Sequence, residues 1–180
     1  MSTRNAKRNA TRRLTLCALF VALTAVCAQL TIPIGAVPVS LSLLPVLLCA
    51  ALLPLPDALL SMLAYLLLGA IGLPIFSNLS GGLGKLLGPT GGYILGYLPC
   101  AAVIGILIRK SDSFPIRCLA MILGVLACYA FGTVWFMVSR QVTLLSALSV
   151  CVLPFLPFDA VKIALAAFLA GRLKAVLGRL

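Results

Sequence analysis

Two opposite charges stand three residues apart in an otherwise apolar run, Leu153-Pro154-Phe155-Leu156-Pro157-Phe158-Asp159-Ala160-Val161-Lys162. On a helix that spacing places both side chains on one face. The carboxylate accepts N–H bonds, and the ammonium donates to an acid or attracts an anion. Each charge costs about 2.5–3.5 kcal/mol near the centre of a bilayer, so the pair needs a reason to be there. One reading is a pocket for a polar ligand. The other is a neutral-sum pair that only holds two helices together. Pro154 and Pro157 loosen or begin the helix just before the pair. The carbonyls they free need protein or a wet cavity as partner.

A second constellation is the glycine-rich stretch Gly81 to Tyr97, in which glycine recurs at 84, 88, 92 and 96. Pro89 excludes one continuous helix through it and fits a helix start, with Thr90 next. Gly92, Gly96 and Cys100 then form a small-residue stripe for close helix packing. Asn78, Ser80, Lys85, Thr90 and Tyr93 are polar groups that a loop here offers to a ligand, or merely to solvent. A phosphate cradle is excluded, because Leu86 follows Gly84-Lys85 where a Ser or Thr is required and Leu79 stands where the first glycine belongs. On the first apolar segment, Ala18 and Ala22 lie four apart, with Ala25 beyond. Such a strip lets another helix approach closely, inside this molecule or from a partner.

Other chemistries are absent. The chain has no histidine, which removes Ser-His-Asp and Cys-His catalysis. Its seven cysteines are scattered through apolar runs without CxxC or metal spacing, and read as small hydrophobes with no metal site. Nothing in the sequence reads as an enzyme or calls for a cofactor.

The elements that must position these groups follow from composition. Of 180 residues, 63% are hydrophobic and 9% charged, against about 25% charged in soluble domains. The solvent around most of this chain is therefore lipid. The charge-free gaps, Leu14–Pro56, Ala58–Gly84 and Leu86–Ile108, are each long enough for a span of about 20 residues, and the first for two. Six spans are expected, at 14–32, 38–55, 57–74, 90–109, 117–138 and 144–171. Pro33 and Pro38 bracket the first loop, Pro54 and Pro56 the second, and Pro74 closes the third span. Asp57 is expected as the N-cap of the third helix. Residues 75–89 form the longest connection and 110–116 a polar turn. With the N-terminus cytoplasmic, 11 of the 14 basic residues fall on the inner side. Only Lys85 and Arg140 fall outside, and Lys162 lies within the last span. The expectation is an all-α membrane protein with both termini cytoplasmic. Residues 1–13 are a basic tail, 14–173 a six-helix substrate-binding domain and 174–180 a short tail. The basic start followed by an apolar run is read as an uncleaved first helix, and as a membrane anchor rather than a nucleic-acid arm.

Gly69-Ala70-Ile71-Gly72-Leu73-Pro74-Ile75-Phe76, Ser80-Gly81-Gly82, Gly88-Pro89-Thr90-Gly91-Gly92-Tyr93 and Leu153 to Lys162 together resemble the BioY family. The resemblance runs in order from Leu14 to Leu173. That family comprises the biotin-binding S-components of energy-coupling factor (ECF) transporters. The resemblance implies six helices and a biotin site near the outer face, between the loop after the third helix and the last helix. Its implied contacts are Asn78, Gly82, Tyr93, Asp159 and Lys162, with Lys85 and Thr90 as further candidates. It implies a transmembrane T-component and two ATPase subunits as partners, with Ala18 and Ala22 on the docking surface. Another vitamin, or a ligand-free structural subunit, are the alternatives.

Overall fold

The computed structural model describes residues 3–32, 39–109 and 113–177, with side chains from Ala10 to Ala175. The Pro33 and Pro38 brackets, residues 110–112 of the polar turn, residues 178–180 of the C-terminal tail and the side chains of Arg4, Lys7, Arg8 and Arg179 lie outside the described residues.

Helix α1 (Thr3–Gln29) carries buried Cys17, Phe20, Thr24 and Ala28 along one stripe. That three-to-four-residue period is the packing face of a helix. Helix α1 includes residues 3–13 of the basic start. A short antiparallel ladder follows, β1 (Thr31–Ile32) with β2 (Val39–Ser40). It occupies the start of the expected second span, so the helix there is only α2 (Leu43–Leu52). Ten residues rise about 15 Å, half the hydrocarbon thickness. Eight of them are buried, which suits a helix that is apolar all round. It is the axis of the core, touching α1, α3 (Leu55–Ala70), α6 (Tyr97–Ile108) and α9 (Leu156–Leu177).

Asp57 is not the N-cap of α3. Pro54 holds that position, and Asp57 sits in the first turn. There Arg13 donates Nε to Oδ2 at 2.7 Å and Nη2 to Oδ1 at 2.6 Å. The carboxylate is drawn to a forked cation on α1 instead of to its own helix end.

The loop after α3 leads into α4 (Leu83–Leu87) and α5 (Gly91–Leu95), with Thr90 at the N-cap position of α5 but making no side-chain capping bond. The small-residue stripe continues into α6 and packs on α7 (Phe114–Arg140). A β-carbon on Gly92 would collide with Trp135, and one on Gly96 with Cys128. The expected last span is broken: α8 (Leu144–Cys151) meets α9 at 57°. Pro154 lies in the break and Pro157 in the first turn of α9, where its missing N–H costs nothing.

By length and apolarity, three helical stretches among the described residues suffice to cross a membrane: 10–29, 91–108 and 114–140. The bent α8–α9 pair makes a fourth. Helices α2 and α3 are shorter, at 10 and 16 residues. The fold is thus a helical membrane bundle, in which each of the six expected segments contains helix.

Candidate functional site

Asp159 and Lys162 do not face lipid. Along α9 the buried positions are Asp159, Lys162, Ala166, Ala167 and Ala170, one continuous face. The two charged residues extend an alanine stripe that lets α9 press against α2. Asp159 is 4% and Lys162 7% exposed. Lys162 Nζ donates to Asp159 Oδ1 at 2.7 Å and to the Ser40 carbonyl, at the end of β2, also at 2.7 Å. The hydroxyl of Tyr129 on α7 donates to Asp159 Oδ2. Each carboxylate oxygen thus holds one donor, and two such oxygens offer about four acceptor positions. Capacity remains on both. The location in the first turn of α9 also favours a negative charge.

The pair borders a cavity of about 300 Å³, at the lower end of the ~300–1,000 Å³ typical of small-molecule pockets. The start of α9 supplies Asp159 and Lys162, and the turn before it supplies Phe155. Helix α7 supplies Cys128 and Tyr129, and Cys151 closes α8 against them. Helices α5 and α6 give Tyr93, Ile94 and Tyr97, the hairpin and α2 give Ser40 and Leu43, and the loop region gives Ser77, Asn78, Lys85 and Thr90.

Local packing fixes these groups. The Tyr93 ring packs against Gly132, where any β-carbon would strike it, and its hydroxyl meets Thr133 Oγ1 at 3.0 Å. Ser40, Ser42 and Tyr97 form a hydroxyl chain with both steps at 2.6 Å. Trp135 Nε1 donates to the Gly88 carbonyl at 3.0 Å and ties the glycine-rich segment to α7. Asn78 stands at the exposed rim, its Oδ1 accepting from Thr31 Oγ1 at 3.1 Å.

Six of the seven sequence-derived candidates therefore meet around one cavity: Asn78, Lys85, Thr90, Tyr93, Asp159 and Lys162. Gly82 does not line it. Its φ of +88° suits glycine, and its N–H is committed to the Gly69 carbonyl at 2.7 Å, so its part is to shape the loop. Ala18 and Ala22 are exposed on the outer face of α1, opposite its buried stripe. Tyr129, Tyr97 and Ser40 were missed. Tyrosine with a polar tip inside an apolar helix was the available signal for the first two. Nothing local marks a backbone carbonyl as the acceptor of a lysine 122 residues away.

The arrangement combines a fixed anionic acceptor, a buried ammonium, a second cation at Lys85 and apolar or aromatic walls. It suits a small ligand with N–H donors at one end and an anionic group elsewhere.

The family model for the BioY family matches residues 1–179. The chain is 40% identical to the biotin transporter BioY of Thermotoga maritima, over 91% of this chain and 96% of that one. It is 41% identical to a probable biotin transporter BioY of Pyrococcus horikoshii, with the same two coverages. The structure superposes on the crystal structure of the S-component for biotin from an ECF-type ABC transporter with a TM-score of 0.88. That match has 29% identity and covers 97% of this chain and 95% of the other.

Proposed function

Since the chain belongs to the BioY family, we propose that it captures biotin with high affinity as the substrate-specific S-component of an ECF transporter. The observation that carries this reading is the Asp159–Lys162 pair, turned inward on α9 beside a cavity of ligand size.

Biotin presents a ureido ring with two N–H donors and one carbonyl, an apolar thioether ring and one carboxylate. Asp159 accepts the ureido N–H groups on the positions that Tyr129 and Lys162 leave open. The Asn78 amide at the rim reaches the ureido carbonyl as donor. Tyr93, Leu43, Ile94 and Phe155 enclose the thioether ring. Asp159 and Lys162 cancel in charge, so Lys85 leaves the cavity one net positive charge for one ligand carboxylate. A site built from buried hydrogen-bonding groups rejects analogues that leave those groups unpaired, by as much as about 10⁴–10⁵.

The protein itself is a transporter subunit and not an enzyme. ATP is hydrolysed by two partner subunits, and the exposed Ala18–Ala22 strip meets the T-component. The chain crosses the cytoplasmic membrane six times with both termini inside, and the cavity opens outward, at the end of the bundle away from the Arg13–Asp57 pair.

The test is equilibrium binding of labelled biotin to detergent-purified protein, with other vitamins as competitors. Saturable binding displaced by biotin and by desthiobiotin, which keeps the ureido group, supports the reading. Normal binding by both D159N and K162A discards the pocket assignment. Displacement by a different vitamin in place of biotin reassigns the ligand.

A further inference from the structure

The loop that carries Asn78 holds a backbone its sequence does not favour. Asn78 and Leu79 stand side by side at φ of +62° and +51°. In this left-handed region the β-carbon of an L-residue crowds the following carbonyl, at roughly 1–2 kcal/mol per residue. Asparagine tolerates it through local hydrogen bonding, but leucine has no such compensation. Burial does not compensate either, because Leu79 is 70% exposed. Such residues persist only where the surroundings over-determine them.

Those surroundings are visible. Phe76 and Ser80 exchange two backbone hydrogen bonds, at 2.9 and 3.3 Å, which close the turn. From outside the loop, Thr31 Oγ1 donates to the Asn78 side chain at 3.1 Å, and the loop's backbone is met by Gln29, on the last turn of α1. Its Oε1 accepts the Leu79 N–H at 2.8 Å, while its Nε2 donates to the Phe76 carbonyl at 3.1 Å. The same Nε2 donates to the Ala25 carbonyl one turn back, at 3.0 Å, which fixes the carboxamide against its own helix. A single planar group therefore bonds both sides of the turn, and Asn78 lies between its two attachment points. Ser77 and Asn78 line the cavity, whereas Gln29 does not.

We infer that Gln29 is a positioning residue for ligand binding. It holds the 76–80 turn in its left-handed conformation, so that Asn78 is presented at the cavity rim without Gln29 touching the ligand. The inference rests on the reading of this cavity as the biotin site.

The experiment measures biotin affinity of purified Q29L, L79G, the Q29L/L79G double variant and D159N, with monodispersity checked for each. Q29L is expected to lose roughly tenfold or more in affinity, as for loss of two hydrogen bonds that hold the turn. L79G alone is expected to stay within about threefold of wild type. Glycine accepts positive φ without the steric cost, so the double variant is expected to recover most of the loss. A merely structural role for Gln29 gives no such rescue. Wild-type affinity in Q29L, or a double variant as weak as Q29L, overturns the inference. If Q29L is not monodisperse, Q29N is used: it stays polar but is one methylene too short to span the turn, and the same two outcomes decide. Loss of binding in D159N with none in Q29L removes only the role of Gln29. Normal binding in D159N removes the site reading itself.

Discussion

Two carboxylate–cation pairs among the described residues are built differently. Arg13–Asp57 joins two helices, α1 and α3, through a forked contact, and neither residue borders the cavity. The Arg13 side chain is 56% exposed and that of Asp57 7%. Asp159–Lys162 lies within one helix, so its ion pair ties nothing together on its own. Its spare valences reach Tyr129 on α7 and the Ser40 carbonyl, and its remaining side faces a void. The first pair is a clamp between two helices, away from the cavity. The second turns its open acceptor positions toward a void. Similar charges thus serve as a fastening at one end and as a socket at the other, and the difference lies in what each pair faces.

Single substitutions sharpen the contrast. D159N should weaken biotin binding on the order of a hundredfold, as expected for losing charge-assisted hydrogen bonds. Titration with labelled biotin reads this directly. R13M leaves the Asp57 carboxylate without its forked partner and should lower stability. Its thermal midpoint in detergent should fall, while biotin affinity measured well below that midpoint stays at the wild-type value. Y129F removes one donor from Asp159 and should cost roughly tenfold in affinity. In a D159N background Y129F should add little, because it acts through the same carboxylate. A22W should leave biotin affinity within about twofold and reduce co-purification with the T-component, since bulk on a small-residue strip prevents close helix approach. Undiminished co-purification moves the docking surface elsewhere.

Much of this was legible in the sequence. The charge-free gaps marked the apolar segments, and Asp159 and Lys162 stood out because charge is rare in such surroundings. Pro154 and Pro157 announced the disturbance that became the 57° break between α8 and α9. The unread features depend on partners distant in the chain. Asp57 next to Pro54 and Pro56 has the local signature of a helix cap, and only the arrival of Arg13 from 44 residues away changes its part. Tyr129 in an apolar helix looks like packing until α9 brings a carboxylate to it. Gln29 reads as the polar end of a helix, and its two bonds to the 76–79 turn exist only after α3 has folded back beside α1. The second span was read too long because apolarity does not separate Val39 and Ser40, which pair as strand, from the helix that starts at Leu43.

The measurement that bears most directly on the inward-facing pair is made on the double variant D159N/K162M. Exchanging both members of a buried ion pair for neutral groups of similar size is often neutral or stabilising, whereas removing one strands the other. A protein that folds as well as wild type and no longer binds biotin is the expected result. A folded double variant that binds biotin with wild-type affinity would show that the two charges only brace the bundle.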